Sequence, residues 1–224
     1  MKKAISLLSG GMDSLVTLAL AMQEYEVYPL HVNYGNRTGK KELHCYRKIV
    51  GHYALKGSLE VDIDYLARIG GSSLTDSSIK PEIGIPKAGE IPSSYVPFRN
   101  THLLSIAVSY AEVLGASKIF IGAVEEDSSG YPDCTKKYIA SFNELIRVGS
   151  KAGGKIEVTA PLIDLTKSAI VKKGLDLRVP FEHTWSCYVG NEKACGRCQS
   201  CYLRLNGFRD AGARDPVQYE KFGD

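Results

Sequence analysis

Six residues constrain this chain more than any others: Ser9-Gly10-Gly11-Met12-Asp13-Ser14. An apolar run, Ala4-Ile5-Ser6-Leu7-Leu8, leads into them, and a helix-like run from Leu15 to Met22 leads out. The pattern predicts a strand, a glycine turn and a helix. Two adjacent glycines allow a sharp turn and a close approach of backbone to ligand. Such a turn ends at a helix N-terminus, where free N–H groups and the helix dipole favour an anion. The Ser9 and Ser14 hydroxyls add donors to that nest. Asp13 is placed to cap the helix or to help hold a magnesium ion. No Gly-Lys-Ser/Thr follows the glycines, so this is not a Walker A loop.

The alternation continues along the chain. Residues 27–34 read as a second strand, whose end at Asn33-Tyr34-Gly35 should lie beside the first loop. Helical spacing over 40–53 and strand alternation over 59–63 follow. A helix over 101–114, a buried strand over 118–123 and a helix over 136–148 come next. A short strand over 155–159 and a helix over 166–177 complete the series. Strand and helix in turn predict an α/β fold with a doubly wound parallel sheet. Residues 70–97 break the pattern with paired glycines and serines and four prolines. A loop that long inside a compact domain is expected to be a lid, a dimer arm or disordered.

Length and composition suit one large domain, or one with an appendage. The chain has 224 residues, 44% hydrophobic and 24% charged. A net charge of +3 neither demands nor excludes nucleic acid. No apolar span is long enough for a membrane helix. The Met1-Lys2-Lys3 start resembles a signal peptide only superficially, because Ser9-Gly10-Gly11 and Asp13 interrupt the apolar stretch. A cytoplasmic location is the expectation.

Four of the six cysteines fall between 187 and 201: Cys187, Cys195, Cys198 and Cys201. Cys195-Gly196-Arg197-Cys198 is a knuckle that aims two thiolates at one point. Without an export signal such clustering favours metal over disulfides. Four thiolates suit tetrahedral zinc and leave no open coordination position, so the expected Zn²⁺ is structural. A redox pair or an iron–sulfur cluster is the competing reading. Cys45 is expected to serve packing.

The glycine loop resembles the PP-loop of the ATP pyrophosphatases, which release AMP and pyrophosphate. Further motifs sharpen the likeness: Val96-Pro97 with Arg99-Asn100, the turn Asp127-Ser128-Ser129-Gly130-Tyr131-Pro132-Asp133-Cys134, Pro161-Leu162 with Lys167, and the four cysteines with Leu203-Arg204. Together they make the chain similar, over nearly its whole length, to the 7-cyano-7-deazaguanine synthases of queuosine biosynthesis. The resemblance implies a PP-loop (HUP-like) ATP-binding domain over 1–181, with the lid or arm at 70–97. It also implies a zinc-binding segment over 182–224 and a homodimer. It implies a ligase that joins ammonia to 7-carboxy-7-deazaguanine, consuming ATP with Mg²⁺, with no direct contact to nucleic acid and no membrane.

Nucleotide contacts are then expected along Leu8, Ser9, Gly10, Gly11, Met12, Asp13, Ser14, Leu15, Val16, Thr17 and Leu18. Asp13, Lys167 and Arg99 are the candidate catalytic groups, with Arg99 pairing a substrate carboxylate. A deazaguanine presents a donor-rich edge, which a carboxylate meets well. Asp133 and Asp127 are therefore candidates, with Tyr131 for stacking and Asn100, Ser129 and Gly130 beside them. Phe98 departs from the pattern, since it stands where glycine is expected; a ring there should alter pocket shape or lid contact. Two alternatives stay open: a PP-loop tRNA sulfurtransferase using Cys134 with a knuckle cysteine, and a paralogue adenylating another carboxylate. A zinc-ribbon nucleic-acid binder is a third, non-enzymatic reading.

Overall fold

A computed structural model describes residues 1–84, 90–125 and 130–220. Five strands form one wholly parallel sheet: β1 (Lys2–Leu7), β2 (Tyr25–Asn33), β3 (Leu59–Asp62), β4 (Lys118–Phe120) and β5 (Glu157–Thr159), in the order β3-β2-β1-β4-β5. Seven α-helices lie among the described residues: α1 (Met12–Ala21), α2 (Gly39–His52), α3 (Tyr65–Ile69), α4 (Arg99–Leu114), α5 (Lys136–Gly149), α6 (Lys167–Asp176) and α7 (Gln199–Asp210). The doubly wound parallel sheet expected from the alternation is the fold observed.

Strand β1 shows why the sheet is covered on both sides. Ile5 and Leu7 enter one core with Leu104, Ala107 and Ala111 of α4 and Phe142 and Ile146 of α5. Ala4 and Leu8 enter the other with Leu15 and Leu18 of α1, Ile49 of α2, Ile170 of α6 and Phe208 of α7. A strand buried on both faces reads as a continuous apolar run, as Ala4–Leu8 does. Burial on this scale, at roughly 25 cal/mol per Å² of apolar surface, is the main source of stability.

Threonine hydroxyls start two of the helices. Thr135 Oγ1 accepts from the Tyr138 N–H at α5, and Thr166 Oγ1 from the Ala169 N–H at α6. The order in which strands are added reverses between β1 and β4. The crevice at such a switch point, beyond the carboxyl ends of the strands, is where ligands bind in folds of this kind.

Two helices were not legible as helices beforehand, α3 and α7. The described parts of 70–97 are anchored on their neighbours. Ser73 N–H donates to Ser93 O, Ser94 Oγ meets Tyr131 OH at 2.8 Å, and Gly84 N–H donates to Arg197 O. Glu82 accepts from Gln199 Nε2 at 2.5 Å, which ties the segment to the start of α7.

Candidate active site

The glycine loop joins β1 to α1. Gly10 has φ +90°, and a Cβ there would stand 2.5 Å from Glu42 O, so only glycine fits. Gly11 is the N-cap of α1, and Leu15 N–H closes the first helical turn on Gly11 O at 3.1 Å. The N–H groups of Met12, Asp13 and Ser14 therefore precede the helical ladder and face the crevice end. Ser9 Oγ accepts from Gly11 N–H and lies 3.1 Å from Ser14 Oγ, which donates to Gly11 O. Asp13 is not the cap. It pairs through Oδ2 with Lys167 Nζ at 2.7 Å, while its buried Oδ1 has no hydrogen-bond partner among the described residues.

Two adjoining cavities open here. The first, about 260 Å³, runs from the glycine loop past Leu30, Val32 and Tyr34 to Asn36, Arg37, Thr38 and Glu42. The second, about 180 Å³, is bounded by Val124, Tyr131, Lys167, Leu203 and Arg204. Both are lined by Met12, Asp13, Arg99, Gly122, Ala123, Cys134, Ser186, Tyr188 and Ser200. Gly122 follows β4 closely. A Cβ on it would come within 2.9 Å of Ser14 N, so this glycine lets the β4 end pack on the loop.

Arg99 opens α4 at the shared wall. Its guanidinium lies 5.5 Å from the Tyr34 ring centre and 5.9 Å from that of Tyr131, and Nη1 reaches Tyr34 OH at 3.4 Å. Burial works against its charge, but Tyr34, Tyr131, Cys134 and Asp133 overcome this and raise its pKa. Asn100 is buried behind it, donating through Nδ2 to Asp133 O at 2.9 Å and to Cys134 Sγ at 3.2 Å. Burial pushes the Cys134 thiol up to about 11. Burial also raises the pKa of Glu42, whose Oε1 accepts from Asn36 and Thr38.

Several candidates sit elsewhere. Asp133 is buried, but its Oδ2 accepts from Asn100 N–H at 2.9 Å, and it borders neither cavity. Gly130 packs on Glu90 O and also lies off both walls. Leu15, Val16, Thr17 and Leu18 turn into the core, because one helical turn past the loop the inner face of α1 meets the sheet. Asp127 and Ser129 lie outside the described residues. Phe98 corrects an expectation: it lines neither cavity and is 58% exposed, so its ring does not shape either one. Its backbone explains the expected glycine, since φ +58° and ψ +22° are left-handed.

The four cysteines converge. Their sulfurs lie within 4.8 Å of one another, all buried. Backbone N–H groups of Val189, Gly190 and Cys195 donate to Cys187 Sγ, and that of Cys198 to Cys195 Sγ. Such N–H···S bonds stabilise thiolates, and buried thiolates this close require a cation, so the donor set fits a metal. The cluster touches the loop through Trp185. Its N–H donates to Gly10 O at 2.9 Å and its indole Nε1–H to Cys187 O at 3.1 Å.

A family model described as "Queuosine biosynthesis protein QueC" matches residues 3–212. The chain belongs to this family. A relative named 7-cyano-7-deazaguanine synthase, from Chlorobium phaeobacteroides (strain DSM 266 / SMG 266 / 2430), is 57% identical over 224 residues, 99% of each chain. One of the same name from Chloroherpeton thalassium (strain ATCC 35110 / GB-78) is 54% identical over 97% of each. Among solved structures, a predicted subunit of tRNA methyltransferase from Methanocaldococcus jannaschii DSM aligns with TM-score 0.50 and 15% identity. It covers 99% of this chain and 93% of that one, a likeness of fold alone. Membership of the family agrees with the resemblance read from the motifs. Tyr34, Glu42, Gly122, Ser186 and Tyr188 line the site without having been singled out as site residues. Only Tyr34 had a signal, its place at the end of a strand.

Proposed function

We propose that this chain converts 7-carboxy-7-deazaguanine and ammonia to 7-cyano-7-deazaguanine, splitting ATP to AMP and pyrophosphate. The observation that carries the reading is the wall common to two cavities. It presents the start of α1 at Met12 and Asp13, together with Arg99, to both, and Lys167, paired with Asp13, to the second. That is the arrangement needed to bring a nucleotide and an acceptor carboxylate together.

A carboxylate resists ammonia because oxide is a poor leaving group. Attack of a carboxylate oxygen on the α-phosphorus expels pyrophosphate and leaves an acyl adenylate. Ammonia displaces AMP and gives the amide. The amide oxygen takes AMP from a second ATP, and loss of that AMP with protons gives the nitrile. The protein contributes position and fixed charge. We assign the first cavity to the nucleotide, with Ser9–Ser14 around its phosphates, and the second to the base. Lys167, which lines the second cavity and pairs with Asp13, would offset negative charge on the reacting phosphate. The Nη2 of Arg99 makes no hydrogen bond to a described residue, which supports its pairing with the substrate carboxylate. Tyr131 supplies a stacking face. Asp133 holds Asn100 and the start of α4, and Asp127, Ser129 and Gly130 remain candidates for the base edge. The unpartnered Asp13 Oδ1 fits Mg²⁺ held jointly with phosphate oxygens, and the ion would neutralise phosphate charge.

The cysteine cluster suits Zn²⁺, as a staple for a segment over 182–224 on a domain over 1–181. Six free cysteines agree with a cytoplasmic setting, and no helix among the described residues is long and apolar enough to cross a membrane. We take the protein to be a homodimer on family grounds. A tRNA sulfurtransferase needs a nucleophilic thiol at the nucleotide. Cys134 is buried, bonded by Asn100 and held protonated, and the knuckle cysteines are gathered in one set. Mass spectrometry of 7-carboxy-7-deazaguanine incubated with ATP, Mg²⁺ and ammonium should show the nitrile and two AMP per nitrile. Substrate-dependent ADP and phosphate would defeat the proposal.

A further inference from the structure

Arg204 borders the second cavity but has nothing left to give a ligand. Its five N–H donors meet five acceptors. Nε donates to Asp215 Oδ2 at 2.7 Å, and Nη2 to Asp215 Oδ1 at 2.9 Å and Phe181 O at 3.4 Å. Nη1 donates to Thr184 Oγ1 at 2.7 Å and Ser186 Oγ at 3.2 Å. The side chain is 2% exposed. It is a fixed cation that orients what surrounds it.

The two hydroxyls it meets differ in one respect. Thr184 is buried and sends its own proton to Phe181 O at 2.7 Å. Ser186 has no acceptor for its proton among the described residues, and it lines both cavities. With a guanidinium N–H on one lone pair, the Ser186 O–H must point away from Arg204. The charge behind it also makes it a stronger donor.

We propose that Ser186 donates a hydrogen bond to an anionic oxygen of the phosphoryl group transferred at the shared wall, with Arg204 as its positioning residue. The role rests on the reaction proposed above. That oxygen gains charge as the attacking oxygen adds to the α-phosphorus, and again as AMP leaves. A preset donor there is worth about 10²-fold in rate.

The test compares Ser186→Thr, which keeps the hydroxyl, with Ser186→Val, which keeps the same shape without it. Ser186→Ala serves as a third variant. Nitrile formation, the KM for ATP and melting temperature are measured for each. Ser186→Thr should stay within several-fold of the unaltered chain. Ser186→Val and Ser186→Ala should lose about 10²-fold in kcat, with little change in the KM for ATP or in melting temperature. Equal rates for Ser186→Val and Ser186→Thr in an active protein would overturn this role alone. An unaltered chain that makes no nitrile would overturn the proposed function and this role with it.

Discussion

Lys167 Nζ stands 2.7 Å from Asp13 Oδ2 across a gap of 154 residues, while the other oxygen of the same carboxylate is buried and unpartnered. The pair couples the glycine loop to the N-terminus of α6. It also leaves one carboxylate oxygen free for a metal ion shared with phosphate oxygens. Asp13→Asn keeps the shape and removes the charge. Turnover should fall by about 10²–10³, the usual cost of losing one preset electrostatic group. The fold should stay intact by circular dichroism. An unchanged rate would reduce Asp13 to a structural partner of Lys167.

Asp133→Asn tests a different carboxylate. Its Oδ2 accepts from the Asn100 N–H, next to Arg99. If that anchoring is its work, the substitution should lower stability by roughly 1.5–3 kcal/mol, the range for a hydrogen bond to a charged group. Affinity for both ligands should then weaken together through Arg99. Loss of base affinity alone, with ATP binding and melting temperature unchanged, would instead make Asp133 a reader of the purine edge.

Phe98→Gly should keep activity and raise stability. A side chain at φ +58° costs roughly 1–2 kcal/mol relative to right-handed backbone. Glycine avoids that cost but loses about 0.5–1 kcal/mol through a freer unfolded chain. The expected gain is therefore below about 1.5 kcal/mol by chemical denaturation. A large fall in kcat/KM for the base would return Phe98 to the site.

The cysteine cluster predicts linked losses. Cys195→Ser should lower bound zinc and melting temperature together, because metal binding is part of the folding free energy. ATP affinity should weaken in step, since Trp185 links Cys187 to Gly10. Cys45→Ser should leave zinc content alone. Active purified protein with no bound metal would defeat the structural-zinc claim.

His31 gives a pH dependence. It is buried, its Nδ1–H donates to Leu8 O at 3.0 Å, and Nε2 has no partner among the described residues. Burial lowers its pKa below 6.5. Below that value the unfolded chain takes up a proton that the folded chain refuses. Stability present above pH 6.5 is therefore lost as the pH falls through the folded pKa. Melting temperature should drop more between pH 7 and 5.5 in the unaltered chain than in His31→Asn, whose amide can also donate to Leu8 O. Parallel curves would show that His31 titrates alike in both states.

The sequence by itself determined the order of the five strands and of the helices other than α3 and α7, the glycine turn and the cysteine set. These are local signals: apolar periodicity, backbone freedom at Gly10 and the short spacing from Cys195 to Cys201. Tertiary structure alone decided which side chains share a wall. Helix α7 was hidden because its buried positions include Arg204 and Gly207. Arg204 is buried only because Asp215 and three other acceptors surround it, and Gly207 only because it packs on Lys167. The bond that Asp133 makes to the start of α4 could not be read from the chain, because Asn100 lies 33 residues away. Ser186 carried no signal, because a serine's meaning lies in where its proton can go, and that depends on neighbours brought together by folding.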